Sequence, residues 1–186
     1  MEPVTDRYRR LAALMTDTIA AVEDTAWSDP SPCTDWTARD VVRHLVEVHG
    51  RMQMLVGRGL VEHPPIEDDP LGAFGAVRDQ LQSDLDDPDR AAQEYEGRFG
   101  TSTFGTAVNG FVCFDLVVHR WDLAQATGQD LVIDPADVAA VQADVDQRGE
   151  MMRENGVIAA AVQPAADASA QDRLMASLGR QAVEHR

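Results

Sequence analysis

Hydrophobic residues recur every three or four positions along most of the chain, which is the spacing of amphipathic α-helices. Five segments show this pattern, and they start near Val4, Thr37, Asp69, Thr103 and Asp134. No segment alternates polar and apolar residues over a useful length, so no strand is predicted. The pattern predicts an all-α protein whose long helices, joined by mostly short connections, form an antiparallel bundle.

Turn-forming residues mark where the predicted helices end. The polar residues 89–102 are predicted to form a connection, and the Ala/Pro-rich residues 157–167 an extended segment. Ser169 then caps a short last helix. We therefore expect residues 1–156 to form the helical bundle, and residues 157–186 to form a C-terminal extension that packs on it.

Composition narrows the range of functions. The 186 residues include 32 acidic and 16 basic side chains, and every basic one is arginine, for a net charge of −16. A surface this acidic repels phosphate backbones and anionic lipids, so we expect neither nucleic acid nor membrane among the partners. The absence of lysine excludes Schiff-base chemistry. No secretory signal is visible, and Cys33 and Cys113 have no metal or redox spacing, so we expect a cytoplasmic protein.

The informative residues are ionisable ones that interrupt the apolar stripes. His44 lies on the same side of the second helix as Leu45. On the fourth helix, Asp115, His119 and Asp122 follow one another along a single face at intervals of four and three residues. Burying such groups costs several kcal/mol each unless they are paired or coordinate a metal, on the order expected for buried charges.

Two interpretations follow from this pattern. In the first, His44, Asp115 and His119 bind a divalent metal ion between two helices. Two imidazoles and one carboxylate suit Zn²⁺, with Ni²⁺ or Fe²⁺ as alternatives, and three protein ligands leave a position open for water or substrate. In the second, His119 pairs with Asp115 or Asp122 in a metal-free network, and a neighbour or a water satisfies His44.

Other reactive residue types are expected to be structural. We expect His49 at the flank of its helix or at the rim of a pocket, and His63 and His185 in solvent. Cys33 follows two prolines and is expected to be a small buried hydrophobe rather than a nucleophile. Trp36 is expected to pack at a helix end, or to line a pocket near the candidate metal ligands.

The same positions form longer motifs. The first motif comprises Pro32-Cys33, Trp36, Asp40 and His44-Leu45, and the second comprises Asp115-x-x-x-His119 followed by Trp121-Asp122-Leu123-Ala124. In this order they resemble the metal motifs of the mycothiol-dependent maleylpyruvate isomerase N-terminal domain family, a branch of the DinB-like superfamily. The closing Leu178-Gly179-Arg180 resembles the tail of a group of short actinobacterial members.

The resemblance implies a DinB-like four-helix bundle, with additional short C-terminal helices, that holds a divalent metal between helices. It assigns His44 and His119 as the two histidine ligands. The third ligand of the isomerase is a glutamate four residues before the second histidine. Asp115 occupies that position here, and its side chain is one methylene shorter.

In isomerase-like members the metal is thought to hold or activate the sulfur of a low-molecular-weight thiol. The resemblance therefore implies a transferase or isomerase that uses mycothiol and a small electrophile. Exposed helix faces in such bundles often pair, so a homodimer is a possible assembly. The isomerase has a full second domain after its bundle, whereas about thirty residues follow the fifth helix here, so maleylpyruvate isomerisation itself is not expected. The alternatives are a non-catalytic metal-binding bundle and a metal-free bundle with a buried His/Asp network.

Overall fold

The computed structural model describes residues 2–97 and 100–183, so His185 lies outside the described residues. The helices are α1 (Val4–Ala20), α2 (Ala38–Leu55), α3 (Pro70–Asp86), α4 (Pro88–Ala91), α5 (Phe104–Ala107), α6 (Cys113–Ala126), α7 (Pro135–Glu154) and α8 (Ala170–Ser177). A 3₁₀ turn, Asp24–Ser28, lies between α1 and α2. The predicted all-α class is confirmed. No helix of the described chain is long and apolar enough to cross a membrane.

Four helices enclose the main core. Helix α1 packs against α3 and α6, and α2 packs against the same two helices, which places α1 and α2 at opposite corners. Their facing apolar stripes supply fully buried side chains such as Met15, Leu45, Phe74 and Leu116. Helix α7 packs on α6, and α8 packs on α7. The division into 1–156 and 157–186 stays a prediction.

Helix starts follow the capping residues in the sequence. Thr37 and Asp40 form a reciprocal capping box at the start of α2, and Ser169 with Asp172 forms another at α8. Asp69 caps α3, and proline occupies the first helical position after it. These side chains bind amide groups that the first helical turn leaves without partners, which explains why the start positions are readable from sequence.

A small hairpin occupies the region that was predicted to be a polar connection. Strands β1 (Glu94–Gly97) and β2 (Gly100–Thr103) pair antiparallel, with Tyr95 opposite Ser102. The prediction that residues 89–102 form a connection without strands was wrong, because strands of four residues are too short to show an alternating pattern. The hairpin contributes Tyr95 and Ser102 to the wall of the cavity described below.

The predicted fourth helix contains a π-helical turn. Residues Val108–Val112 form this turn between α5 and α6. The backbone oxygen of Gly110 accepts a hydrogen bond from Arg148 Nη2 at 3.2 Å. Such turns change the face on which later residues lie and are frequent at functional sites. Phe111, predicted on the apolar stripe, is exposed at the cavity, whereas Val112 is fully buried.

A buried polar pair crosses the core between α1 and α2. His49 is fully buried, and its Nδ1–H donates to the backbone oxygen of Leu45 at 2.6 Å. Its Nε2 therefore accepts from the Tyr8 hydroxyl at 2.9 Å. The predicted position at a helix flank or pocket rim was wrong, since the residue five positions after His44 turns into the bundle centre. Burial lowers the pKa of His49 to about 4.

The pH dependence of stability tests this buried histidine. The pKa of His49 is about 4 in the folded chain, against the usual 6.5 of a solvated imidazole. The unfolded chain therefore binds an extra proton between these values, and the free energy of unfolding falls as pH decreases through that window. In His49→Gln we expect this fall to be smaller by up to about 3 kcal/mol. Urea unfolding at pH 7 and pH 4.5 measures it, and an equal fall in both proteins would contradict the assignment.

Candidate metal centre

A cavity of about 990 Å³ opens beside the facing surfaces of α2 and α6. The three predicted metal ligands lie in its wall, with His44 on α2 and both Asp115 and His119 on α6. His44 and Asp115 retain 23% and 20% side-chain exposure, whereas His119 is buried at 7%. The three positions that the sequence pattern placed on buried helix faces therefore line this open cavity.

The structure brings the three side chains together. His44 Nε2 is 3.2 Å from Asp115 Oδ2, and His119 Nε2 is 3.9 Å from Asp115 Oδ1. The two imidazole rings approach edge to face, with centroids 4.7 Å apart. One ligand atom from each residue lies within 4.8 Å of the other two. Residues that are 71 positions apart in the chain thus share one small volume.

These separations fit a divalent cation. Two ligands that each lie about 2.1 Å from one tetrahedral ion are about 3.4 Å from each other. The distances of 3.2 Å and 3.9 Å fall on either side of that value. Two imidazoles and a carboxylate are also the donor types that Zn²⁺ takes at sites with an open position.

Asp122 fixes the orientation of His119. Its Oδ2 lies 2.9 Å from His119 Nδ1, and the carboxylate is fully buried. A proton on Nδ1 donates to this carboxylate, so Nε2 is directed at Asp115 and His44. Metal-binding histidines typically have such a carboxylate partner on the other ring nitrogen. Burial alone would lower the pKa of His119, but hydrogen bonds with Asp122 and Cys33 and the nearby carboxylates outweigh this effect and raise the pKa to about 10.

A tight turn before α2 places Trp36 over the two histidines. Asp35 adopts a left-handed conformation with φ of 64°, and the Trp36 amide donates to the Cys33 carbonyl at 3.1 Å. The Trp36 ring centroid lies 5.0 Å from that of His44 and 5.7 Å from that of His119, stacked on the latter. Of the two predicted positions for Trp36, the pocket lining is the one observed.

Cys33 lies at the same site. It is half-buried in the cavity wall, and its Sγ is 3.2 Å from Asp122 Oδ2. Cys33, His119 and Asp122 form a second group whose ligand atoms lie within 4.8 Å of one another. The prediction of a small buried hydrophobe was therefore wrong. The available signal was the Pro32-Cys33 pair within the first motif, since spacing alone does not connect it to α6.

Arg180 is a site residue that sequence reasoning missed. It follows α8, and its Nη2 lies 3.4 Å from Asp122 Oδ2 and 3.6 Å from Cys33 Sγ. Helical periodicity carries no information about this contact, because 58 residues separate Arg180 from Asp122. Its place in the closing Leu178-Gly179-Arg180 motif was the only indication.

Comparison with known proteins identifies a family for most of this site. Residues 8–124 match the family model described as mycothiol maleylpyruvate isomerase N-terminal domain. The match includes the three candidate ligands, Cys33 and Asp122, and it ends before α7 and α8.

Two similar proteins are known from Mycobacterium tuberculosis, one in each of two strains, and both are uncharacterized. Each is 31% identical to this chain over 109 residues, and the matched region covers 57% of this chain and 57% of the relative. The chain thus spans little more than half the length of the curated relatives it matches. No solved structure shows significant similarity.

The protonation of His119 tests the role of Asp122. Asp122 makes the strongest of the contacts that raise the pKa of His119 to about 10. In metal-free protein we expect the His119 imidazole to stay protonated through neutral pH, and Asp122→Asn to lower its titration midpoint. An NMR pH titration of the His119 imidazole signals in the wild type and the variant measures this. An unchanged midpoint in the variant would exclude Asp122 as the controlling partner.

Proposed function

Because the chain belongs to the mycothiol maleylpyruvate isomerase N-terminal domain family, we propose that it binds a divalent metal ion and transfers a small thiol to an electrophile. His44, Asp115 and His119 are the proposed ligands. Zn²⁺ is the proposed metal, with Ni²⁺ or Fe²⁺ as alternatives that suit the same donors. Mycothiol is the proposed thiol, on the basis of the family description.

The observation that most supports this proposal is the position of the three donors on an open cavity. A metal-free network that only stabilises the bundle needs no adjoining space, and a structural metal site is usually closed by a fourth protein ligand. Here His44 and Asp115 remain partly exposed to a cavity of about 990 Å³. That volume is at the upper end of the range of about 300–1,000 Å³ for small-molecule sites, so a thiol and a second substrate both have room.

Residues of the chain prepare this site in two ways. Asp122 holds the Nδ1 proton of His119, so Nε2 is the nitrogen that a metal ion would bind, by displacing the proton there. The Trp36 ring packs against the two imidazole rings and forms part of the cavity wall beside them. A bound divalent ion favours the thiolate form of a coordinating thiol, which supplies a nucleophile at neutral pH.

The remaining cavity wall contains both apolar and polar side chains, which suit the two proposed substrates. Val48, Met52 and Phe114 form an apolar part, suited to the organic body of an electrophile. Thr101 and Ser102 of β2 provide hydroxyl groups, suited to a polar thiol such as one that carries sugars. The mixture of an apolar lining with a few polar groups is typical of small-molecule sites.

Metal content tests the ligand assignment. We expect protein purified without a histidine tag to retain about one equivalent of divalent metal, as three ligands and a fixed imidazole imply. His44→Ala and His119→Ala should each lose most of it, and His63→Ala, a loop histidine outside the cavity lining, should not. Elemental analysis measures this. Undiminished metal in both ligand variants would end the proposal, and a wild-type protein without metal would favour the His/Asp network.

Thiol conjugation tests the proposed reaction. In a mixture of mycothiol and a chloro-dinitro aromatic compound, the thiolate sulfur displaces chloride and forms a thioether that absorbs visible or near-ultraviolet light. We expect the protein to accelerate this reaction, chelation to abolish the acceleration, and His44→Ala to match the chelated protein. A metal-loaded protein without activity on several electrophiles would indicate a non-catalytic metal-binding bundle instead.

A further inference from the structure

The C-terminal segment forms one wall of the cavity although it lies beyond the residues that match the family. The match ends at residue 124, whereas Val157, Ile158, Leu178 and Arg180 all line the cavity. This segment therefore contributes to the site in a way that the family match does not assign.

Helix α8 is held firmly enough to position a side chain. Leu174 and Leu178 are fully buried, and Arg153 of α7 donates to the Ser177 carbonyl at 3.0 Å. Gly179 ends the helix with φ of 84°, and a Cβ at this position would lie 2.6 Å from Ala159. Only glycine fits there, and the turn that it permits directs the chain so that Arg180 enters the site.

Arg180 is almost completely buried against the partners of His119. Its side chain retains 10% exposure, and Nη1 donates to the Leu178 carbonyl at 2.9 Å. Its Nη2 reaches both Asp122 Oδ2, at 3.4 Å, and Cys33 Sγ, at 3.6 Å. Among the described residues, the ion pairs of Asp122 are with His119 and Arg180.

The contact between Arg180 and Asp122 matters because the Asp122 carboxylate is charged and buried. When Nε2 of His119 binds a cation, the imidazole is neutral and keeps its proton on Nδ1. The fully buried Asp122 carboxylate then has one cationic side chain within ion-pair distance among the described residues, and it is Arg180. Removing the cationic partner of a buried carboxylate is strongly destabilising, so we expect Asp122 without Arg180 to turn toward other donors.

We propose that Arg180 is a positioning residue for the metal centre, which it supports through Asp122 rather than by touching the ion. This inference rests on the proposed function, since it concerns the affinity of that same site. Arg180 supplies the counter-charge that keeps Asp122 directed at Nδ1 of His119, and so keeps Nε2 directed at Asp115 and His44. The C-terminal segment accordingly contributes to metal binding at this site.

Metal affinity in three arginine variants tests this proposal. Arg180→Gln should weaken Zn²⁺ binding about tenfold or more, the usual effect of removing a partner behind a ligand. Arg180→Lys should recover part of the affinity, because it restores the charge without the planar geometry. Arg173→Gln changes an exposed arginine of α8, the helix that precedes Arg180, and should bind as the wild type does. Competition with a chromophoric chelator measures each affinity.

Two further readouts separate positioning from a loss of structure. The metal-free Arg180→Gln protein should unfold at nearly the temperature of the wild type, and its Co²⁺ form should show shifted visible bands because the His119 ring has moved. Wild-type affinity in Arg180→Gln, or an apo form that fails to fold, would overturn the positioning role while leaving the metal site intact. A wild-type protein that binds no Zn²⁺ or Co²⁺ would instead overturn the proposed function, and this inference with it.

Discussion

The hydrogen bond between His119 Nδ1 and the buried Asp122 carboxylate determines what the rest of the site can do. It places the imidazole so that Nε2 meets Asp115 and His44 from the neighbouring helix. Both residues lie on α6, three positions apart, so the helix itself sets their relative geometry. The free-energy cost of burying these two ionisable groups is offset by their mutual pairing.

Several parts of the chain lie around this hydrogen bond, and each contributes a different feature of the site. The turn that contains Asp35 brings Trp36 and Cys33 onto the two histidines. Helix α8 brings the counter-charge of Arg180. Phe111 of the π turn and Tyr95 and Ser102 of the β-hairpin line the cavity beside the candidate ligands.

The fold was largely predictable because helix caps and apolar periodicity are local features. Thr37, Asp69 and Ser169 mark their helices in sequence and in structure alike. The convergence of His44, Asp115 and His119 was also predictable, since each replaces an expected apolar residue on a helix face. The same reasoning gave a wrong position for His49. Its two hydrogen bonds, with Tyr8 and with the Leu45 carbonyl, depend on packing that a helical wheel does not contain.

Two residues that reach the site from outside the helical pattern, Cys33 and Arg180, were not predictable from periodicity. Cys33 depends on a left-handed residue two positions later, and Arg180 depends on the close approach of Gly179 to Ala159. The first is a local turn and the second a tertiary contact, and neither leaves a periodic signal. The hairpin escaped prediction for a related reason, because its strands of four residues are stabilised by each other and not by a sequence pattern.

X-ray absorption spectroscopy of the zinc-loaded, thiol-free protein tests the central claim most directly, because it identifies the atoms bound to the ion. The proposed site predicts a coordination shell of two imidazole nitrogens with oxygen ligands and no sulfur. A sulfur neighbour at about 2.3 Å, the usual Zn–S distance, would place the ion instead with Cys33, His119 and Asp122. That result would contradict the assignment of His44 and Asp115 as ligands.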